Sequence, residues 1–397
     1  MTRRTLLKII IVSGVIMAAI FSFGSSLPRK VFYRIQRWFN PPAEIPPDNQ
    51  RGEASLPEAG AGTTVETALN SRCTSDYDDN PRQFHWGMFD RNRKLSHSQI
   101  EQITQRARVP SFAKGRASIG TEQGTLIFLV DNRETGLRRE WAMVESGMQQ
   151  QAVGLVCAAL GVGHVHRSLG EEGKLLSGDE FATVQIKLDA MKPSYDGAYW
   201  STSAPSDTRP WERGNLPDPD RKGSKALLDA LGELKTGRSG GKASSDRELG
   251  QLLWAARGRT PHFYKSEPWG LTIPTYRGEQ TISAVHVVRG DRLLRYVNWK
   301  GNRPTHTLED AGGVDVETVK AMGDRYLPGT WFIVLSRNEA PARALWEVGY
   351  QLLNLVLQAH ALDVSYKAVL LDETERRIVR GTGIKEPVAM LVLQRKP

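Results

Sequence analysis

Two stretches of this chain constrain its fold more than anything else in it. Gly349–Val364, GYQLLNLVLQAHALDV, carries Leu352, Leu353, Leu355, Val356, Leu357, Ala359, Ala361 and Leu362, which cover every face of a helical wheel. A helix that is apolar all the way round is buried on all sides, in a core or at a large interface. It is too short and too interrupted to span a bilayer. Gly147–Val162, GMQQQAVGLVCAALGV, aligns with it without a gap at an offset of 202 residues. Gly147 meets Gly349, Gln149 meets Gln351, Leu155 meets Leu357, Ala159 meets Ala361, Leu160 meets Leu362 and Val162 meets Val364.

The flanks repeat as well. Gly124–Val130, GTLIFLV, precedes the first stretch as Gly329–Leu335, GTWFIVL, precedes the second. Glu180–Leu188, EFATVQIKL, follows the first as Glu386–Gln394, EPVAMLVLQ, follows the second. Each half reads strand, long buried helix, strand. Three elements repeated in one order predict a duplicated α+β unit.

With 397 residues, 40% of them hydrophobic, the chain can bury one large core or two medium ones. A net charge of +9 suits a phosphate ligand, nucleic acid or an anionic membrane surface. The charge is spread along the chain and no zinc-finger, RNP or basic-zipper pattern occurs, so nucleic acid is not expected as a partner. The two cysteines, Cys73 and Cys157, make neither a metal motif nor a disulfide framework. Cys157 falls inside the first long helix and is expected in the core. His164 and His166 would share one face of a strand, but no third ligand accompanies them. A packing or surface role is expected there, and no metal site.

The N-terminus reads as a separate device. Residues 2–8, TRRTLLK, lead into the apolar run Ile9–Phe23. That is a signal peptide or a single membrane anchor over residues 1–28. Arg3-Arg4 followed by Thr5, Leu6, Leu7 and Lys8 resembles the twin-arginine export signal, which implies a body outside the cytoplasm. Arg29, Lys30, Arg34 and Arg37, mixed with Phe32, Tyr33, Trp38 and Phe39, make a segment that could rest on a membrane surface. Residues 40–72 are rich in Pro, Gly, Ala, Glu and Thr and are expected to be a linker.

Residues 76–195 form the first half. Ser96 or Ser98 can cap a helix over Gln99–Arg108, and Gly115–Gly124 reads as a turn-rich loop. A long helix over 138–163 should end at the Gly-rich GVG. Residues 196–223, with four prolines, are a connector or an active-site cover. Residues 224–397 form the second half. There the pattern predicts a helix over Ser224–Lys235, and a second over Arg247–Arg257 capped by Asp246. A hairpin is expected from Thr281–Val288 and Arg292–Asn298, then a helix over 315–323 and a strand over 330–335. After the central helix comes a short polar helix, Glu373–Val379.

At this level of order the sequence resembles the FMN-dependent nitroreductase superfamily. In the second half it is most similar to the SagB-type dehydrogenase branch. LLDALGELKTGRSGGKASSDRELGQLLWAARG is similar to that branch's opening, in which an Arg-Arg-Ser-x-Arg segment precedes a leucine-rich helix. IPTYRGEQTISAVHVV resembles its Pro-Ser-Ala-Gly loop and following strand, GYQLLNLVLQAHALDV its central helix, and KEPVAMLVL its last strand. DRNRKLSHSQIEQITQRARVPS in the first half resembles the same opening. The pair looks like tandem proteins of the Acg type, over roughly residues 76–397.

The resemblance implies an α+β sandwich whose two central helices pack as a pseudo-dimer within one chain, with FMN at the interface. It implies phosphate contacts from Arg238 and Ser239, with Lys242 near the family's second Arg but shifted by a residue. Arg91 and Arg93 match the corresponding pair in the first half, and Arg395 could reach a phosphate from the C-terminus. Thr275, Tyr276, Arg277 and Gly278 occupy the family's flavin-edge loop, where Gly allows close approach. Here Pro-Ser-Ala-Gly has become Pro-Thr-Tyr-Arg-Gly, and a bulky Tyr276 can occlude the ring or the substrate. No catalytic side chain is singled out, because hydride passes through flavin N5. The function implied is an FMN-dependent oxidoreductase, exported or membrane-anchored, acting on a small organic substrate with a quinol or partner protein as electron donor. Two readings stand beside it: a flavin-binding or sequestering protein without turnover, and a membrane-tethered interaction module.

Overall fold

The computed structural model describes residues 46–56, 62–72, 89–112, 117–122, 124–131, 133–168, 174–175, 180–191, 214–260, 270–274, 282–301, 303–326, 330–338 and 342–394. The twin-arginine-like segment and the apolar run lie outside them. Among the described residues no helix is long and apolar enough to cross a membrane.

The fold is α+β. Eight α-helices are described: α1 (Val65–Ser71), α2 (His97–Arg106), α3 (Gly136–Leu160), α4 (Leu227–Glu233), α5 (Asp246–Arg257), α6 (Val316–Tyr326), α7 (Ala342–Ala361) and α8 (Glu373–Arg380). The first-half strands are β1 (Gly52–Glu53), β2 (Arg93–Lys94), β3 (Ala117–Glu122), β4 (Thr125–Asp131), β5 (Val162–Ser168), β6 (Lys174–Leu175) and β7 (Glu180–Ala190). Those of the second half are β8 (Gly237–Arg238), β9 (Arg259–Thr260), β10 (Gly270–Leu271), β11 (Ser283–Arg289), β12 (Arg292–Lys300), β13 (Arg303–Gly313), β14 (Trp331–Arg337), β15 (Tyr366–Leu370) and β16 (Pro387–Leu393).

The two main sheets share a plan. The first runs β3-β4-β7-β5, with β6 also on β7, and the second runs β13-β12-β11-β14-β16-β15-β8. Setting β3 against β11, β4 against β14, β7 against β16 and β5 against β15 makes the two orders coincide, and every pairing in both is antiparallel. The strand–helix–strand repeat in the sequence is therefore a repeat in space.

The long helices meet at the pair that the sequence alignment brings together. A Cβ on Gly349 would stand 2.2 Å from the Val144 carbonyl oxygen and 2.9 Å from Gly147 Cα, and a Cβ on Gly147 would stand 2.4 Å from the Trp346 carbonyl oxygen. Only glycine lets two helix backbones approach so closely. Around the crossing, Met143, Val144, Met148, Leu155, Trp346, Leu352, Leu353 and Leu355 are buried in one core that spans both halves. The second sheet is covered on its other face too. There Val288, Phe332, Val334 and Met390 pack with Met322 of α6 and Val379 of α8. The alternation Ile333 inward to α7, Phe332 and Val334 outward to α6 follows from the two-residue period of a strand.

Several expectations need correction. The central helices are buried but not wholly apolar. Glu347, Gln351, Asn354 and Gln358, at spacings of four, three and four, form a fully buried polar stripe on α7, and Glu145, Ser146, Gln150 and Gln151 are buried on α3. Each of these side chains makes at least one hydrogen bond inside, since burying one with none is costly, although Oε1 of Gln151, Glu347, Gln351 and Gln358 is buried without a partner. Residues 40–72, expected as a linker, include α1, whose Val65, Ala68 and Leu69 are buried and whose Thr64 side chain accepts from Thr67 N. The expected loop 115–124 contains β3, paired along its length with β4. The cap of α5 is Ser245, one residue before Asp246, in a capping box with Glu248, and Ser96 plays the same part with Gln99 on α2. The GVG stretch is not all stop: Gly161 (φ 64°) ends α3, and Val162 already begins β5. The hairpin is present as β11–β12, and an unexpected third strand, β13, extends it.

The described end of the connector, from Gly214, seals that third strand. The Asn215 side chain donates to Leu308 O (2.7 Å) and accepts from Leu308 N (2.8 Å), while Leu216 N donates to His306 O (3.3 Å).

Candidate functional site

The candidate phosphate residues of the second half gather at the C-terminal end of α7. Arg238 lies on β8, antiparallel to β15 with Tyr366 as its partner. Its guanidinium pairs through Nη2 with the Asp363 carboxylate, and Nη1 is 3.4 Å from His360 Nδ1. His360 Nε2 lies 3.1 Å from Glu233 Oε2, and Glu233 receives Lys225 Nζ at 2.8 Å. The result is a continuous polar chain, Lys225–Glu233–His360–Arg238–Asp363, with an ion pair at each end and the His360 imidazole between them. Hydrogen bonds from Lys225 and then His360 hold the exposed Glu233 carboxyl below its ordinary range. Cations suit this place, because the last carbonyls of a helix carry partial negative charge.

Lys242 is committed elsewhere. Its Nζ is 3.0 Å from Glu248 Oε1, and its backbone amide donates to Asp363 O at 2.8 Å. Burial alone would raise the Glu248 carboxyl, but hydrogen bonds from the Ser245 hydroxyl, the Lys242 ammonium and the Ser245 amide outweigh it and hold it at about 2. Ser239 is exposed beside Arg238. Tyr366 donates to Lys235 O (2.9 Å), and burial pushes its phenol up to about 12 against the field of Arg238.

Arg91 and Arg93 also come just before a Ser-capped helix, but Arg93 is on β2, which pairs with β1 in a separate two-stranded sheet, and only the neighbouring Asp90 reaches the end of β7. Asp90 N donates to Ala190 O of β7 (2.7 Å), as Ser244 N donates to Gln394 O beyond β16 (2.8 Å). Both arginines are exposed. The organising residue there is one the sequence reading missed. Arg51, in the supposed linker, is buried and donates to Asp90 O (2.8 Å), to Arg93 O and to Asp189 Oδ1 (2.9 Å). Burial raises the Asp189 carboxyl, and the Ala190 amide and Arg51 offset only part of that. Thr275, Tyr276, Arg277, Gly278 and Arg395 lie outside the described residues.

The chain leading into that loop is anchored by both halves. Thr272 O accepts from Arg72 Nε (3.3 Å), Gln151 Nε2 (3.0 Å) and Asn354 Nδ2 (3.2 Å), and Gln151 also donates to Asn354 Oδ1 (2.9 Å). The two amides are expected to be coupled. A double-mutant cycle of Gln151→Leu and Asn354→Leu, read by chemical denaturation, should give an interaction energy of about 0.5–3 kcal/mol rather than additive losses.

His164 and His166 do share a face of β5, both buried, with ring centroids 5.6 Å apart. Burial lowers both, so they stay neutral, with His164 near 3. Among the described residues no group of three potential ligands is close enough to hold a metal.

Would these residues fit FMN? Arg238 does. Its partner Asp363 is 63% exposed and pairs with no other cation among the described residues, so a phosphate can displace it from an ion pair worth about 0–1 kcal/mol. Lys242 does not, because the capping box fixes its partner Glu248.

Two solved structures are similar to the chain. One, a protein from Ralstonia eutropha JMP134 provisionally assigned as a nitroreductase, aligns over 46% of this chain and 88% of its own at 21% identity, with a TM-score of 0.36. The other, from Anabaena variabilis ATCC 29413 and assigned in the same provisional way, aligns over 69% of each chain at 12% identity, with a TM-score of 0.47. No family model matches the sequence, and no curated protein matches it.

Proposed function

We propose that the chain is an FMN-binding oxidoreductase of the nitroreductase type, acting on a small organic substrate. One observation carries this reading: two α+β halves of the same strand order meet through long helices that cross at Gly147 and Gly349. That arrangement is consistent with the pseudo-dimer the sequence resemblance implies, in which one tandem chain would supply both sides of the interface itself. When bound, the flavin supplies hydride transfer through its N5. The chain's part is to hold the phosphate with Arg238 and to keep the approach to the loop after Pro274 in place through Thr272, Gln151 and Asn354.

The same proposal extends to location. The N-terminal segment is read as an export signal or anchor with the body on the extracytoplasmic side. Nicotinamide donors are scarce there, which favours a quinol or a partner protein as reductant.

A second reading, flavin binding without turnover, is favoured by the departures from the family pattern at Tyr276 and Lys242, the latter committed to Glu248. Absorption spectra of the full chain, before and after incubation with FMN, test both. Flavin bands that survive desalting, and are lost in Arg238→Ala, are expected. Bleaching by a quinol and recovery with an acceptor would favour turnover. A colourless protein that takes up no FMN sinks both readings.

A further inference from the structure

Asp363 is the only non-glycine residue with positive φ (57°) among the described residues. It ends α7 in a left-handed cap: Val364 N donates to Ala359 O and Asp363 N to His360 O, both at 3.1 Å. At the offset of 202 residues its counterpart is Gly161, which ends α3 with φ 64°. Glycine takes this conformation freely, whereas a side chain with a Cβ is strained by it. An acid is also a poor electrostatic choice beside the negative end of a helix. The second half therefore carries, at a place where the first half has no side chain, a carboxylate that both backbone and dipole disfavour. What it gains is the Arg238 guanidinium.

We propose that the Asp363 carboxylate is an internal occupant of the anion position at Arg238, an autoinhibitory contact that a phosphate-bearing ligand must displace. This deepens, and rests on, the reading of Arg238 as the phosphate donor. Both side chains are partly exposed, 37% for Arg238 and 63% for Asp363, so the carboxylate can turn out into solvent without disturbing the cap. Lys242 cannot take over, since Glu248 holds it. Access to the second-half site is thus set by a competition between two anions for one guanidinium.

The test is a fluorescence titration of the full chain with FMN and, separately, with riboflavin, which has no phosphate. Asp363→Asn and Asp363→Gly should each tighten FMN by up to about fivefold at low ionic strength, where an exposed charge is least screened. Riboflavin affinity should not change, and the gain should vanish when Arg238→Ala is added. Asp363→Gly keeps the backbone geometry relaxed, so it carries the test if the asparagine variant folds poorly. FMN uptake that appears only in the variants supports the inference. A wild-type protein that binds FMN as tightly as both variants overturns it and leaves the flavin reading standing. FMN uptake by none of the three overturns both.

Discussion

Gly349→Ala is expected to cost the protein at least about 3 kcal/mol, the upper range for overpacking a core. The added methyl would lie 2.2 Å from the Val144 carbonyl oxygen and 2.8 Å from Met148 N. Both are backbone atoms of α3, so neither can rotate aside as a side chain would. The helices must separate along their contact, and Trp346, Met143 and Tyr350 lose their packing or hydrogen bonds with them. Trp346 Nε1 points at Met143 Sδ (3.4 Å) and Tyr350 OH donates to Gln150 Oε1 (2.5 Å), both across the crossing. Gly147→Ala should behave alike, with its methyl 2.4 Å from Trp346 O. Gly232→Ala is the control. It is exposed on α4 with nothing within 4 Å of the new methyl, and should be neutral or stabilising by up to about 1 kcal/mol. Urea denaturation midpoints decide the matter. Equal stability of Gly349→Ala and wild type would mean that the helices do not cross at this pair.

Glu347→Leu should be comparably damaging for a different reason. Glu347 is fully buried, and its Oε2 accepts from Arg257 Nη1 (2.9 Å) and from Ser283 Oγ (2.9 Å). Removing the carboxylate strands a guanidinium that is itself 4% exposed, at an expected loss of about 3–5 kcal/mol. The double replacement Arg257→Met with Glu347→Leu removes both charges and should recover most of that loss. This comparison separates a penalty for an unpaired buried charge from a penalty for lost packing. If the double variant is as unstable as the single one, the pair stabilises by more than mutual neutralisation.

The repeat was legible because its parts are long and periodic. A 20-residue helix such as α7 and strands such as Trp331–Arg337 announce themselves in any window. Short or mixed elements did not. β3, ASIGTE, has one bulky apolar residue and a glycine, and becomes a strand only because β4 lies beside it. In α1 the local signal was present, with Thr64 as cap and Val65, Ala68 and Leu69 on one face, but the surrounding Pro- and Gly-rich composition outweighed it. The candidate site divides in the same way. Arg238 could be found from its place before a leucine-rich helix. That its guanidinium belongs to Asp363, 125 residues away, follows from the sheet and the cap together. One signal was available in the sequence: the alignment sets Asp363 against Gly161, and the departure at that position marks it. Arg51 gave no such sign, since its partners come from two distant places, the segment of Asp90 and Arg93 and the end of β7 at Asp189.

The Asn215 clasp bears on whether the halves could live apart. β13 ends the seven-stranded sheet, and an uncovered edge strand invites the same edge of another molecule. Here one asparagine side chain, supplied by the connector, satisfies both the amide and the carbonyl of Leu308. A second half released by cleavage after Leu216 would therefore lose more than its helical partner. It would expose a hydrogen-bonding ladder at its rim, and its first hazard would be self-association rather than unfolding.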